Sequence, residues 1–414
     1  MMMAQVENQS ALLSPLDRLR YYEQRVNDRF GTAPAPASLG DLLPERGARF
    51  PLHWLPCSRD DVWHFATDPA MDRIDQLADG DHIHVPVHPL SVDRLSEAGL
   101  VKSGQISFSA SYRTAFYEPD PGGPLSDLAA DGQILMLKLH LAEPLPGIPG
   151  DRRLTMETLE RCVRMSQVLA EELAAEPMAG DLTIIPESFG VGAAEAGFLL
   201  RIMPDAPLVP VFSLYSRDPD VPGSDPLIIT ALKSIYGEDA PRAALEAGEW
   251  LARPLLSPVL AGFRRGFSLE MHAQNTLVTT GDDRPIEHVW FRDMEGVLLF
   301  DELRESAGLP SLTGEMQNAQ WAPKAHTAGR LFNRNVDHDL KRIFDGVLRA
   351  AESTGYFGKQ EVRTATRSLR SVSNALISEA GLDHLGRAGR LMPVSRAPWG
   401  NGLRLGHYFR TRYR

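Results

Sequence analysis

The spacing of apolar residues changes several times along the chain, and each change marks an element. Between Pro15 and Phe30 they fall at Leu16, Leu19, Tyr22 and Val26, which predicts a helix with one narrow buried stripe. Residues 1–14 are expected to be disordered, and a Pro/Ala linker is expected at 31–38. His82 to Pro89 reads as a strand, and Ser107 to Thr114 alternates with period two. Ile134 to Leu141 is almost continuously apolar, the pattern of a buried strand with one lysine, Lys138, at its centre. A turn at 144–151 precedes Arg152 and Arg153, which open a predicted helix reaching Glu176. Strands are expected at 182–186, 198–203 and 208–214, and 228–236 is ambiguous between strand and helix. Asp239-Ala240-Pro241 starts a helix that Pro254 breaks or kinks, that Ser257-Pro258 restarts, and that ends near Gly266. Two further helices are predicted over 328–351 and 361–380.

Directly after Gly266 comes the densest polar stretch, Glu270-Met271-His272-Ala273-Gln274-Asn275. Alternation predicts an extended segment with Glu270, His272 and Gln274 on one face and Asn275 on the other or at a bend. A turn at 281–285 and a return strand over 286–293 would bring Asp293 back beside His272 and Asn275. A carboxylate with an amide oxygen can hold Mg²⁺, and histidine and arginine can neutralise phosphate charge. The same residues also suit a hydrogen-bonded polar hairpin inside a core.

Other positions carry related chemistry. Ser107, Ser109, Ser111 and Arg113 would share a strand face, either a solvated one or one that grips phosphate or carboxylate oxygens. Lys138 needs an anionic partner, from the protein or from a ligand. Arginines at a helix N-terminus oppose the usual dipole preference, and a bound anion would reconcile them. Among His82, His84 and His88, a metal cluster is disfavoured by Pro86. His88, at a strand end, is the better candidate for an anion.

Composition narrows the class. The 414 residues carry 54 acidic and 43 basic side chains, a net charge of -11 that argues against general nucleic-acid binding while leaving room for a local basic pocket. The last stretch, 387–414, holds seven arginines and no acidic residue, either a solvated end or the far wall of an anion pocket. Cys57 and Cys162 lie far apart and read as reduced thiols of a cytoplasmic protein. No apolar run approaches the roughly 20 residues that span a bilayer, and the start lacks a signal-peptide pattern.

Five blocks in order resemble the NRPS-independent siderophore (NIS) synthetases, the IucA/IucC family. They are Val85-Pro86-Val87-His88-Pro89; Ser111-Tyr112-Arg113-Thr114; Lys138-Leu139 with Ile148 to Arg153; Val209-Pro210 through Trp250-Leu251 and Phe263 to Asn275, ending in E-x-H-x-Q-N; and Arg292-Asp293-x-x-Gly296. The match covers residues 84–300 and fades beyond. Leu90 and Pro149 depart from the family pattern, and against the usual, longer member the resemblance leads to the expectation that much of the N-terminal lobe is lacking here.

The resemblance implies an α+β, cupped-hand fold with mixed or antiparallel sheets and a helical C-terminal part. It divides the chain into a helix and linker (1–38), a fingers-like lobe (39–205) and a palm-like lobe (206–414). It implies ATP and Mg²⁺ as cofactors, small-molecule carboxylate and amine or alcohol substrates, neither nucleic acid nor membrane as partner, and a homodimer. Ser111, Arg113, Thr114, Lys138 and Arg153 would surround the triphosphate, with Arg153 favoured over Arg152. His272 would contact the α-phosphate or the reacting carboxylate. Gln274 would join the nucleotide contacts, and Asn275, Asp293 and Glu270 would hold Mg²⁺ or orient the ribose and phosphates. His88, Glu270, Lys324, Arg396 and Arg404 are the substrate candidates. The implied reaction is adenylation of a citrate-like carboxylate followed by condensation. The alternatives are a phosphotransferase with a kinase-like ATP site, which lacks the expected H-x-D and Gly-rich loop, and a non-catalytic nucleotide-binding protein.

Overall fold

The structure, a computed structural model, describes residues 14–26, 37–68, 72–130, 132–143, 152–312 and 328–388. The expected disordered start, most of the 31–38 linker, the turn at 144–151, Lys324 and the arginines at 390–414 lie outside these residues.

Mixed helix and sheet is the observed architecture, as expected for α+β. The strands in chain order are β1 (Phe50–Ser58), β2 (Trp63–Ala66), β3 (Ala78–Asp79), β4 (His82–Val87), β5 (Val101–Phe108), β6 (Thr114–Glu118), β7 (Ile134–Leu139), β8 (Leu182–Ile184), β9 (Phe189–Gly192), β10 (Gly197–Met203), β11 (Val209–Pro210), β12 (Phe267–Ser268), β13 (Thr276–Thr279), β14 (His288–Phe291) and β15 (Leu298–Leu299). Nine form one antiparallel sheet, ordered β2-β9-β10-β7-β6-β5-β1-β4-β3. β7 is central and all six of its residues are buried, as its apolar run requires. Leu135, Leu137 and Leu139 pack into one core with Phe198 and Leu200. Ile134 and Met136, on the other face, meet Phe116 and Met203, and Lys138 shares that face.

A second sheet, β11-β13-β14-β8, carries the expected hairpin. β13 and β14 are antiparallel, with Thr276 opposite Phe291, while β14 pairs in parallel with β8. β8 therefore binds the hairpin to the half of the chain that builds the large sheet.

The longer helices are α1 (Pro15–Gln24), α2 (Met156–Ala174), α3 (Arg253–Arg264), α4 (Lys341–Ser353) and α5 (Lys359–Glu379). α1 buries Leu19 and Tyr22 as its stripe predicts, and it also buries Arg20, Glu23 and Gln24. α2 starts at Met156, where the Thr155 hydroxyl accepts the Thr158 amide. Arg152 and Arg153 thus precede the helix, and Arg152 instead bridges to Leu141. α3 runs through Pro258 without a restart, and 227–236 is helical. The strand expected over 208–214 is only Val209–Pro210, and the chain then turns into a short helix, Val211–Tyr215. The helix expected over 328–351 contains a π-helical segment, Arg334–Leu340. No helix among the described residues is long and apolar enough to cross a membrane.

Candidate active site

Two expected strands are turns, and the difference builds the site. β5 ends at Phe108 and β6 begins at Thr114, so residues 109–113 form a loop and the polar row does not share one face. The reason is local. The Ser109 hydroxyl accepts the Ser111 amide (3.2 Å) and the Ser111 hydroxyl accepts the Arg113 amide (3.4 Å). Serines spaced this way compete with a strand ladder for the backbone. Likewise, residues 269–272 are irregular and 273–275 form a turn before β13. The His272 ring drives it: Nδ1 accepts the amides of Gln274 (3.2 Å) and Asn275 (3.3 Å). Glu270, His272 and Gln274 therefore line a turn rather than one strand face.

The register of the large sheet places the phosphate candidates together. Lys138 on β7 stands opposite Thr114 on β6 and Leu199 on β10. Arg201, two residues along β10, falls on the same face as Lys138. Arg113 lies at the end of the serine loop, its carbonyl accepting the Leu139 amide at 2.7 Å. From the hairpin side come Asp293 and Glu295. Asp293 has a left-handed backbone, φ 84°, uncommon outside glycine.

The result is a buried charge cluster. Lys138, 1% exposed, donates to Asp293 and lies 2.9 Å from Glu295 and 3.5 Å from Glu187. Arg113 pairs with Glu295 and donates to the Arg152 carbonyl at 2.9 Å. Arg201 donates twice to Glu187 and lies 3.5 Å from Asp293. Three cations thus face three carboxylates. Burial disfavours the Lys138 ammonium, yet Asp293, Glu187 and Glu295 reverse this and raise its pKa above the usual lysine range. Burial likewise opposes the Asp293 carboxylate, but Lys138 and Arg201 hold it well below the usual carboxylate range. Glu295 is lowered in the same way by Lys138 and Arg113.

His272 is half-buried. Burial, the largest influence, lowers its pKa against the pull of Asp339 and Asp293. With Nδ1 accepting two amides, the proton of the neutral ring sits on Nε2. The Asn275 side chain donates to the Glu270 carbonyl (3.4 Å), and the Asn275 backbone carbonyl accepts the Arg292 amide (3.0 Å), which joins the turn to the Arg292-Asp293 pair. The Gln274 carbonyl accepts from the Arg292 guanidinium (2.9 Å). Glu270 is paired with Arg334 of the π-helical segment, whose Asn335 donates to the Ser268 hydroxyl (3.1 Å) and the Leu269 carbonyl (2.8 Å).

Other candidates are placed differently. His88 is 1% exposed, its Nδ1 accepts the Leu90 amide (3.2 Å) and its Nε2 donates to the Tyr112 carbonyl (2.9 Å). Burial, then Arg113, pushes its pKa down to about 3, so the ring is neutral, with Nε2 holding the loop before Arg113 and Nδ1 capping the turn at Leu90. This corrects the expectation that it binds an anion. Arg153 is exposed, whereas Arg152 is half-buried, within electrostatic reach of Arg113, Glu295 and Asp293. Lys324, Arg396 and Arg404 lie outside the described residues. Among the described residues no three His, Cys, Asp or Glu side chains group as a metal site.

Sequence reasoning missed Arg201, Glu187 and Glu295. Arg201 carried the signal that exposed Lys138, a lone charge in the apolar run Gly197–Met203. Glu187 lies in an irregular segment and Glu295 in a single 3-10 turn, Met294–Gly296, and neither carried one.

A family described as ferric iron reductase FhuF-like transporter matches residues 248–350, a quarter of the chain, from the π-helical turn before α3 into α4. ATP-bound aerobactin synthetase IucA from Klebsiella pneumoniae superposes with a TM-score of 0.65 at 16% identity, covering 92% of this chain and 74% of its own. IucC from the same organism gives 0.60 at 18%, covering 94% and 74%. The chain therefore has the fold of the NIS synthetases, the cupped-hand class that the five blocks indicate. In sequence it is 26% identical over 308 residues to the L-2,3-diaminopropanoate–citrate ligase of Staphylococcus aureus (strain NCTC 8325 / PS 47), which covers 64% of this chain. The chain spans about half the length of that relative.

Proposed function

We propose that the chain is an ATP-dependent ligase that adenylates a polycarboxylate and condenses it with an amine or alcohol, as in siderophore or related natural-product synthesis. The observation that carries this reading is the convergence of Arg113 and Lys138 with Asp293, Glu295 and the His272 turn, inside a fold whose solved examples include an ATP-bound synthetase. The citrate ligase relative and the siderophore synthetases of this fold support the substrate class.

The cluster is electrically balanced, which sets how a nucleotide would enter. A triphosphate would take Lys138 and Arg113 from their carboxylates, with Arg152 within electrostatic reach, and Asp293 and Glu295 would then need another cation. Asp293 and Glu295, with Asn275 on the adjoining turn, offer the oxygen donors that Mg²⁺ prefers. Glu270, already held by Arg334, is placed to orient rather than to ligate. Bound Mg²⁺ would neutralise phosphate charge. In the first step a substrate carboxylate oxygen attacks the α-phosphorus and pyrophosphate leaves. The His272 Nε2 proton then has a use: it donates to the oxygen on which charge develops. In the second step the amine attacks the acyl carbon, the acyl–phosphate bond breaks, AMP leaves and the amine loses a proton. Proximity of two bound substrates supplies much of the rate, so no covalent nucleophile is required.

Incubation with ATP, Mg²⁺, hydroxylamine and a panel of polycarboxylates tests this. Pyrophosphate, AMP and hydroxamate are expected with at least one acid. Release of ADP instead would mark a phosphotransferase. Tight ATP binding without turnover across the whole panel would mark a non-catalytic binder. Either result overturns the proposal.

A further inference from the structure

We propose that Glu23, on α1, is a positioning residue that holds the serine loop and the Arg292-Asp293 segment in one frame. Its consequence for nucleotide affinity rests on the proposed function, but its structural content does not. Glu23 is completely buried. One carboxylate oxygen pairs with the Arg292 guanidinium and the other accepts the Ala110 amide at 3.0 Å. The same guanidinium nitrogen donates to the Gln274 carbonyl at 2.9 Å. One side chain thereby joins three segments far apart in sequence: the loop leading to Arg113, the turn carrying His272 and Asn275, and the residue preceding Asp293.

Neighbouring contacts make α1 a rigid support for that carboxylate. Gln24 donates to the Phe108 carbonyl at the start of the serine loop (2.7 Å). The Ser213 hydroxyl lies 3.1 Å from the Tyr22 carbonyl and 2.7 Å from that of Val26, fixing the end of α1 to the short helix Val211–Tyr215. A buried carboxylate and guanidinium must stay paired, because either one left alone is costly. The loop and the Arg292 segment therefore move together or not at all. A displacement of about 1 Å of catalytic groups is enough to cost rate.

The test uses the full chain and Glu23→Gln, which keeps the shape but sets an amide N–H₂ against one of two donors. In the ligand-free protein, amide exchange should rise together over 109–113 and 274–276, with α4 unchanged. The KM for ATP should rise about tenfold with a smaller change in kcat, the scale of one lost charged hydrogen bond. Exchange rising uniformly along the chain, or at neither segment, overturns the proposal, as does a fall in Tm with the KM unchanged. If the wild type turns over no ATP, the proposed function fails while the exchange result still decides the role of Glu23. Should Glu23→Gln not fold, the neutral pair Glu23→Gln with Arg292→Gln takes its place, with the same paired rise expected.

Discussion

Lys138 shows how much one side chain discloses on its own. A lysine at the centre of an apolar strand cannot be left unpaired, and its partners proved to be three carboxylates from other parts of the chain. Arg201 obeys the same argument one strand away. Gly296 carries a different constraint, that of space. A Cβ built there would collide with the Glu270 carboxylate, so the glycine of the R-D-x-x-G block gives Glu270 its place beside Arg334. Gly296→Ala should drive Glu270 off Arg334 and shift the adjoining His272 turn. The expected cost is about 1–3 kcal/mol of stability, typical of overpacking, together with weaker ATP binding. Urea unfolding and nucleotide titration of the variant measure both.

Elements were legible where one apolar pattern held over many residues, a continuous run in β7 and a helical period in α2 and α4. They were misread where polar side chains captured the backbone. The serine row alternates like a strand, but hydroxyls bonding two residues onward turn it into a loop. The E-x-H-x-Q-N stretch alternates too, but the His272 ring collects two amides and makes a turn. The π-helical segment 334–340 left no trace in the apolar spacing, because its extra residue per turn serves the contacts of Arg334 and Asn335. Asp337 in that segment gives it a pH response. Burial pushes its pKa up to about 7, with Lys341 opposing. Its folded pKa is above its unfolded value, so its share of stability is full below about pH 4 and is lost as pH rises through 7. Asp337→Asn should flatten that part of the decline between pH 5 and 8. Unfolding midpoints in urea at the two ends of the range check the difference from wild type.

Across the whole molecule, the charge cluster is the joint. Lys138, Arg113 and Arg201 belong to the large sheet or its loops, whereas Asp293 and Glu295 follow the hairpin of the second sheet. Lys138→Met should leave one carboxylate, Asp293, short of its cation and cost about 3–5 kcal/mol. Asp293 and Glu295 are held below their unfolded pKa values, so the stability they contribute is present above those values and is lost as pH falls. Lys138→Met should shrink that acid-side loss, read from unfolding curves at about pH 5 and about pH 2. By itself the sequence determined the central buried strand, the hairpin behind Asp293 and the need for anions at Lys138, since these follow from local apolar patterning and from the cost of burying charge, while the mixed fold class came from the resemblance of the five blocks. Only the tertiary structure decided that the cations are matched by Glu187, Asp293 and Glu295, that His88 is spent on the backbone, and that Glu23 ties α1 to the site. Those outcomes depend on which distant segments meet, and local spacing does not encode that.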